Sequence, residues 1–156
     1  MQRTHVDERT HPTTADPAAL WRAVEGIGGE RGWYTATPVW QARGLADRVV
    51  GGPGMRRGRR DPDRLEVGDP VDFWRVEAVE PGRSLRLRAE MRLPGTARLE
   101  FHVEHGRDGG AVLRERMTFA PSGPLGSAYW FASAAGGHGL LFRVMARDIC
   151  RAAERG

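Results

Sequence analysis

The stretch that decides the fold is residues 84–119, SLRLRAEMRLPGTARLEFHVEHGRDGGAVLRERMTF. Apolar and charged residues alternate through 84–91, 97–104 and 111–119, and the turn sequences PG and GRDGG separate these three runs. Alternation with a period of two is typical of half-buried antiparallel strands that turn their apolar face inward. The stretch therefore predicts a three-stranded antiparallel meander.

Further strand patterns lie outside the meander. A strong candidate is VDFWRVEAVE, which ends at a PG turn, and the other candidates are weaker. With the meander they give about seven strands, the additional ones being 3–8 as a short edge strand, 55–60, 63–67 and 71–80.

Two short helices are predicted after the first strand. Asp16 with Pro17, and later Thr37 with Pro38, are helix-start signals, and glycines at 28–29 and at 51 end the two segments. The apolar faces would comprise Leu20, Trp21, Val24 and Ile27 in the first helix, and Val39, Trp40, Leu45 and Val49 in the second.

The C-terminal part, 124–153, is helical by pattern. One apolar stripe carries His138, Leu141, Met145 and Ile149, and Gly136–Gly137 marks a kink or a break. An antiparallel sheet of this size must curl, and a helix laid across its concave face leaves a cavity between the two.

Length and composition restrict the class of protein. A chain of 156 residues fits one domain, 1–156, of which we expect 1–13 to be partly flexible. The chain has neither a bilayer-length apolar run nor an apolar signal-peptide core at its polar N-terminus, so we expect a cytoplasmic protein without membrane contact. The single Cys150 falls in a helical apolar pattern and predicts a buried, unreactive thiol.

Charge and motifs exclude other classes. The net charge of +4 comes from 24 arginines, with no lysine, and these are interleaved with 20 acidic residues along the chain, so we expect no nucleic-acid partner. The five histidines have no metal-binding spacing, and GGPG followed by arginines is the wrong context for a dinucleotide loop. We therefore expect no metal and no cofactor.

The order of elements resembles the α+β helix-grip fold of the START and polyketide-cyclase superfamily, a curved antiparallel sheet around a long C-terminal helix. More specifically, the chain looks like an actinobacterial domain family of unknown function in that superfamily, often fused behind an NAD-binding, epimerase-like domain. The motifs that carry this resemblance are GGERGWY (28–34), DRVVGGPGMRRGRRDP (47–62), VGDPVDFWRVE (67–77), EMRLPG (90–95), YW (129–130) and HGLLF (138–142).

The resemblance implies a cavity for an apolar or amphipathic small molecule, and it implies much less about chemistry. The chain departs from the family pattern at two places. It has Glu115 where the family has glutamine, and Gly136–Gly137 where the family has Pro-Phe before the histidine. We also expect no partner NAD-binding domain in this chain.

Three ionisable residues are candidate catalytic groups on the inward face. Glu115 shares strand parity with Leu113 and Met117, and His138 lies on the apolar stripe of the last helix. Asp72 points inward together with Trp74 if the more apolar set of 71–80 faces the core; the competing parity turns Arg75 and Glu77 inward instead. An inward carboxylate or histidine beside a bound carbonyl compound can transfer protons without a metal.

The candidate ligand-binding residues are of two kinds. Aromatic walls would come from Trp74, Trp40, Tyr129 and Trp130, and arginines from Arg57 and Arg60 at the cavity mouth, with Arg75 from the competing parity. The structural alternatives are that the aromatics and His138 are ordinary core and that Glu115 pairs with a buried arginine such as Arg75. The arginines at 56–64 would then pair with Asp47, Asp61, Asp63 and Glu66.

The leading functional hypothesis is a binding domain for a small, largely apolar metabolite with metal-free cyclase, dehydratase or isomerase-like activity. The alternative is a non-catalytic binding or auxiliary protein that works with a separate oxidoreductase. The candidate partners, in addition to the small-molecule ligand, are that oxidoreductase and a second copy of this chain in a homodimer.

Overall fold

A single antiparallel sheet, covered on its concave face by helices, forms the framework of the molecule. The computed structural model describes residues 3–33, 37–52, 54 and 59–156. In chain order the elements are β1 (His5–Thr13), α1 (Pro17–Glu25), α2 (Thr37–Val49), β2 (Pro70–Val71), β3 (Trp74–Glu80), β4 (Ser84–Ala89), β5 (Gly95–His105), β6 (Ala111–Pro121), α3 (Gly123–Ala135) and α4 (His138–Arg155).

The predicted meander is present as β4, β5 and β6. The sheet order is β1–β6–β5–β4–β3–β2, and each pair of neighbours is antiparallel. Along β5 and β6 every second residue is buried, as the alternation predicted, and these side chains form the core with α1 and α4. The α+β architecture inferred from the pattern is therefore the one observed.

The described part of the chain has six strands instead of about seven. Residues 63–67 are not a strand, because Asp61 Oδ1 accepts from the backbone N–H groups of Asp63 and Arg64, at 2.8 and 3.1 Å, and folds the chain into a turn. From the other weak candidate, 55–60, Arg59 forms an isolated bridge with Val71, and 55–58 lie outside the described residues.

The predicted strand 71–80 is interrupted at its start. Val71 pairs with Trp74, so the chain turns back through Asp72, which has a left-handed φ of 55°. The alternation of β3 begins only at Trp74, which is buried together with Val76. The competing parity is wrong, because Arg75 lies on the opposite face of β3.

The helices follow their start signals, but α2 buries a different face from the predicted one. Asp16 Oδ1 caps α1 by accepting from the N–H of Ala19 at 2.7 Å. In α2, Trp40 is buried, whereas the other members of the predicted face, Val39, Leu45 and Val49, are more than half exposed. The buried stripe is Trp40, Gly44 and Asp47.

The first strand is longer than predicted, and the C-terminal helix breaks at Gly136–Gly137, where a kink or a break was predicted. The edge strand β1 is nine residues long and includes most of the segment expected to be partly flexible. The C-terminal helix is broken into α3 and α4, and Gly137 at the break has φ of 90°. No helix within the described ranges is long and apolar enough to cross a membrane.

Candidate functional site

A cavity of about 500 Å3 lies between the sheet and the helices α2, α3 and α4. Residues of strands β3, β5 and β6 line it on the side of the sheet. The side chains that surround it are mostly apolar, and the lining comprises Val39, Trp40, Arg43, Trp74, Met91, Leu93, Ala97, Met117, Phe119, Tyr129, Trp130, Ser133, Gly136, Gly137, His138, Leu140, Leu141, Phe142 and Val144.

Aromatic rings form much of the cavity wall. The Trp40 ring centroid lies 5.9 Å from that of Trp74 and 5.8 Å from that of Phe142, both with edge-to-face geometry. On the side of α3, the ring of Trp130 is stacked on Phe119 at 5.8 Å. The structure thus places all four aromatic residues that the sequence predicted as ligand-binding at one cavity. These are Trp40, Trp74, Tyr129 and Trp130.

The polar groups of the lining are few. A guanidinium N–H of Arg43 donates to the Tyr129 hydroxyl at 2.5 Å, and Cζ of this arginine lies 5.5 Å from the centroid of the Tyr129 ring. Sequence reasoning missed Arg43 and Ser133. Helical spacing was the signal that could have found them, since Arg43 follows Trp40 by three residues and Ser133 follows Tyr129 by four.

His138 is the predicted catalytic residue that does line the cavity. It begins α4, and its ring meets those of Phe142 at 4.6 Å and Trp130 at 5.8 Å, both edge to face. Burial lowers the pKa of His138 from its ordinary value of 6.5, although nearby Asp7 partly opposes the shift. The imidazole is therefore mainly neutral near pH 7 and can accept a proton.

Glu115 faces inward as predicted, but it is not part of the cavity lining. It precedes the lining residue Met117 by two positions on β6, is 2 % exposed, and has an Oε2 atom without a hydrogen-bond partner in the described structure. Desolvation raises the pKa of Glu115 to about 8, against a smaller lowering by Arg9. The carboxyl group is accordingly protonated near pH 7.

An ion pair on β1 lies next to both Glu115 and His138. Arg9 is the cross-strand neighbour of Glu115 and donates to Asp7 Oδ2 at 2.7 Å. The same guanidinium packs against α4, because a Cβ added to Gly139 would lie 2.9 Å from Arg9 Nη2. The arginine beside Glu115 is thus Arg9, and the predicted alternative of a pair with Arg75 is wrong.

Asp72 is buried away from the cavity lining. Its Oδ2 atom accepts from the backbone N–H of Gly29 at 3.1 Å and from Trp33 Nε1 at 2.7 Å. These bonds attach the loop that follows α1 to the turn between β2 and β3. The structure therefore does not bring Asp72 together with His138, because the turn that contains Asp72 removes it from the alternation of β3.

The described members of the predicted arginine set, Arg60 and Arg75, are not part of the lining either. Arg60 forms a two-pronged contact with Asp69, at 2.9 and 3.0 Å, and Arg75 bonds Glu90 and the carbonyl of Gly68, both at 2.8 Å. The described arginines thus tie loops together, but the predicted acids are mostly not their partners. Within the described residues Glu66 lies 3.6 Å from Arg60, whereas Asp47 and Asp61 accept backbone N–H groups and Asp63 pairs with Arg31. The main partner of Arg60 is Asp69, an acid that the sequence did not single out. Arg57 lies outside the described residues.

Comparison with known proteins adds a family and a fold. Residues 2–145 match the family described as "Protein of unknown function (DUF2867)", and none of the curated proteins matches the sequence. Among solved structures, norcoclaurine synthase from Thalictrum flavum is similar, with 11 % identity over 96 % of this chain and 86 % of that one, and a TM-score of 0.59.

Two further structures are similar. The Zhui aromatase/cyclase from Streptomyces sp. R1128 has 14 % identity over 98 % of this chain and 95 % of that one, with a TM-score of 0.57. DynU16, a protein of the dynemicin biosynthetic locus, has 17 % identity over 96 % of this chain and 47 % of that one, with a TM-score of 0.50. These likenesses confirm the predicted START-like helix-grip fold, and at such identities they inform on fold alone.

Proposed function

Because the chain belongs to the DUF2867 family of proteins of unknown function, we propose its function from the cavity itself: the protein binds a small, largely apolar metabolite there. The observation that carries this proposal is an aromatic-walled space of about 500 Å3 with few polar groups. Sites for small molecules are concave and mostly apolar, with a small number of polar groups that fix the orientation of the ligand.

Binding can be tested with a neutral apolar dye, N-phenyl-1-naphthylamine, whose fluorescence rises in an apolar site. Ser133→Phe introduces a ring into the cavity, whereas Ser127→Phe makes the same change elsewhere on α3 at a position of similar burial outside the lining. We expect Ser133→Phe to weaken dye binding at least about tenfold, equivalent to about 1.4 kcal/mol, and Ser127→Phe to leave it unchanged. Equal binding by both variants, or none by the wild type, would refute the proposal.

A second candidate function is proton-transfer catalysis on the bound molecule, of the metal-free cyclase, dehydratase or isomerase type. His138 favours it, because a mainly neutral imidazole at the cavity wall can act as a general base. The Arg43–Tyr129 pair lines the same cavity and could stabilise negative charge that develops on a carbonyl oxygen. His138 is the group we assign to proton transfer, and Tyr129 and Arg43 those we assign to charge stabilisation.

Deuterium exchange separates a catalyst from a carrier. A ligand that co-purifies with the protein, identified by native mass spectrometry, would be incubated in D2O with wild type, with His138→Gln, and with His102→Gln as a control on the opposite face of β5. Catalysis predicts deuterium incorporation by the wild type and the control, and retained binding without incorporation by His138→Gln. Absence of incorporation by the wild type would leave the non-catalytic role.

That non-catalytic role is a ligand-binding or auxiliary protein that works with a separate oxidoreductase. The mostly apolar lining favours it, and so does the position of Glu115 and Asp72 outside that lining. Such a protein would release its ligand unchanged. A homodimer would have no part in either function unless a second copy contributed to the cavity.

A further inference from the structure

The cavity contains a cation that has no acidic partner among the residues that the structure describes. Within the described lining, Arg43 is the one residue with a permanent charge, and its guanidinium forms no ion pair with a described carboxylate. Its guanidinium donates to the Tyr129 hydroxyl, and this hydrogen bond engages one of its five N–H donors. By contrast, Arg60, Arg75, Arg98 and Arg114 are each paired with a carboxylate.

A second donor lies on the same face of α2. Trp40 is 4 % exposed and lines the cavity, and its Nε1 atom has no hydrogen-bond partner in the described part of the chain. A buried N–H without an acceptor is costly, so such groups are normally satisfied. Trp40 and Arg43 are three residues apart on a helix and thus on one side of it. Both are donors, and among the described residues neither has an anionic or carbonyl acceptor.

The remaining wall sets the shape of what can bind. Edge-to-face and stacked rings of Trp74, Phe119, Trp130 and Phe142 favour a flat, conjugated molecule over a flexible aliphatic one. We propose, resting on the small-molecule binding proposed above, that the ligand is an aromatic carboxylate whose carboxylate is held by the Arg43 guanidinium, with Trp40 Nε1 as a further donor. A guanidinium fork matches a carboxylate in two parallel bonds, which neutralises the cation inside the apolar cavity.

The test compares two ligands that differ only in charge, 2-naphthoate and 2-naphthamide. Isothermal titration would measure both with the wild type, Arg43→Gln and Arg48→Gln, the last an exposed arginine later on α2 that is not in the lining. The wild type should prefer the carboxylate about 10- to 100-fold, the range for a hydrogen bond to a charged group. Arg43→Gln should abolish this preference and keep the amide affinity, whereas Arg48→Gln should keep both.

The outcomes distinguish a failure of this inference from a failure of the small-molecule binding proposed above. If the wild type binds naphthamide and naphthoate equally well, or if Arg43→Gln weakens both by the same factor, the cavity binds ligands but Arg43 is not a carboxylate anchor. If neither naphthalene derivative nor the neutral dye binds the wild type, the cavity is no binding site and both proposals fail. A circular-dichroism melt of each variant checks that the fold is kept.

Discussion

Glu115→Gln is expected to remove a pH dependence from the free energy of unfolding. The folded-state pKa of Glu115 is raised from 4.5 to about 8 because the carboxyl group is desolvated. Below pH 4.5 the group is protonated in both states, and its stabilising contribution is complete. As the pH rises from 4.5 to about 8, the unfolded chain ionises while the folded one keeps its proton, so stability falls.

The magnitude follows from the two pKa values. Each pH unit in this window costs about 1.4 kcal/mol, so the wild type should lose on the order of 3–5 kcal/mol between pH 4.5 and pH 8 through this residue alone. Glutamine has a similar shape and does not ionise, so the variant lacks this loss. The buried amide adds a cost that does not depend on pH, and the slope is therefore the quantity to compare.

Urea unfolding at pH 5, 6, 7 and 8 measures the slope. The stability of Glu115→Gln relative to the wild type should rise by about 1.4 kcal/mol per pH unit. The control is Glu104→Gln, an exposed residue on β5 that pairs with Arg114 at 2.9 Å, for which the difference should stay within about 1 kcal/mol and vary little with pH. A flat difference for Glu115→Gln would mean that the carboxyl group is solvated or paired in the folded protein, and the described burial would be wrong.

Three further predictions concern groups outside the cavity. Asp72→Asn should lower the free energy of unfolding, measured with urea, by about 2–3 kcal/mol, because the N–H groups of Gly29 and Trp33 lose a charged acceptor. An unchanged unfolding midpoint would contradict the attachment of the loop after α1 to the β2–β3 turn. Asp47→Ala should lower the free energy of unfolding by about 2–4 kcal/mol in the same assay, since it leaves the backbone N–H groups of Gly54 and Arg92 without their acceptor. As a control, Asp63→Ala changes an exposed residue and should lower the free energy of unfolding by less than about 1 kcal/mol. Burial raises the pKa of the Cys150 thiol to about 12, so a disulfide reagent at pH 8 should modify the folded protein roughly 100- to 1000-fold more slowly than the urea-unfolded chain; equal rates would show that the thiol is accessible.

Strict alternation made the meander and the inward face of Glu115 predictable. In β5 the apolar residues from Ala97 to Val103 alternate with polar ones, and in β6 Leu113, Met117 and Phe119 share one parity, so a single register buries them all. Glu115 occupies a position that this register forces inward. The carboxylate was therefore identifiable as buried, although its distance from the cavity depends on where along β6 the helices lie.

Where tertiary contacts decide the outcome, the sequence was less informative. Val39 and Leu45 are as apolar as a core residue, but α2 buries Asp47 instead, because the Asp47 carboxylate accepts two backbone N–H groups from other segments. The positive φ of Asp72 is equally invisible, since aspartate tolerates this conformation without requiring it. Arg43 escaped notice because its proposed role rests on its forming no ion pair with a described carboxylate, which only the fold shows.

The glycine pair at 136–137 separates a helix that is mostly exposed, α3, from one that is anchored in the core, α4. Residues of α4 such as Met145 and Ile149 are fully buried, so substitutions there disturb the core. The neighbouring α3 buries only Gly126, yet it contributes Tyr129, Trp130 and Ser133 to the cavity. We expect relatives to diverge fastest in α3, since a new ligand preference can arise there without loss of the fold.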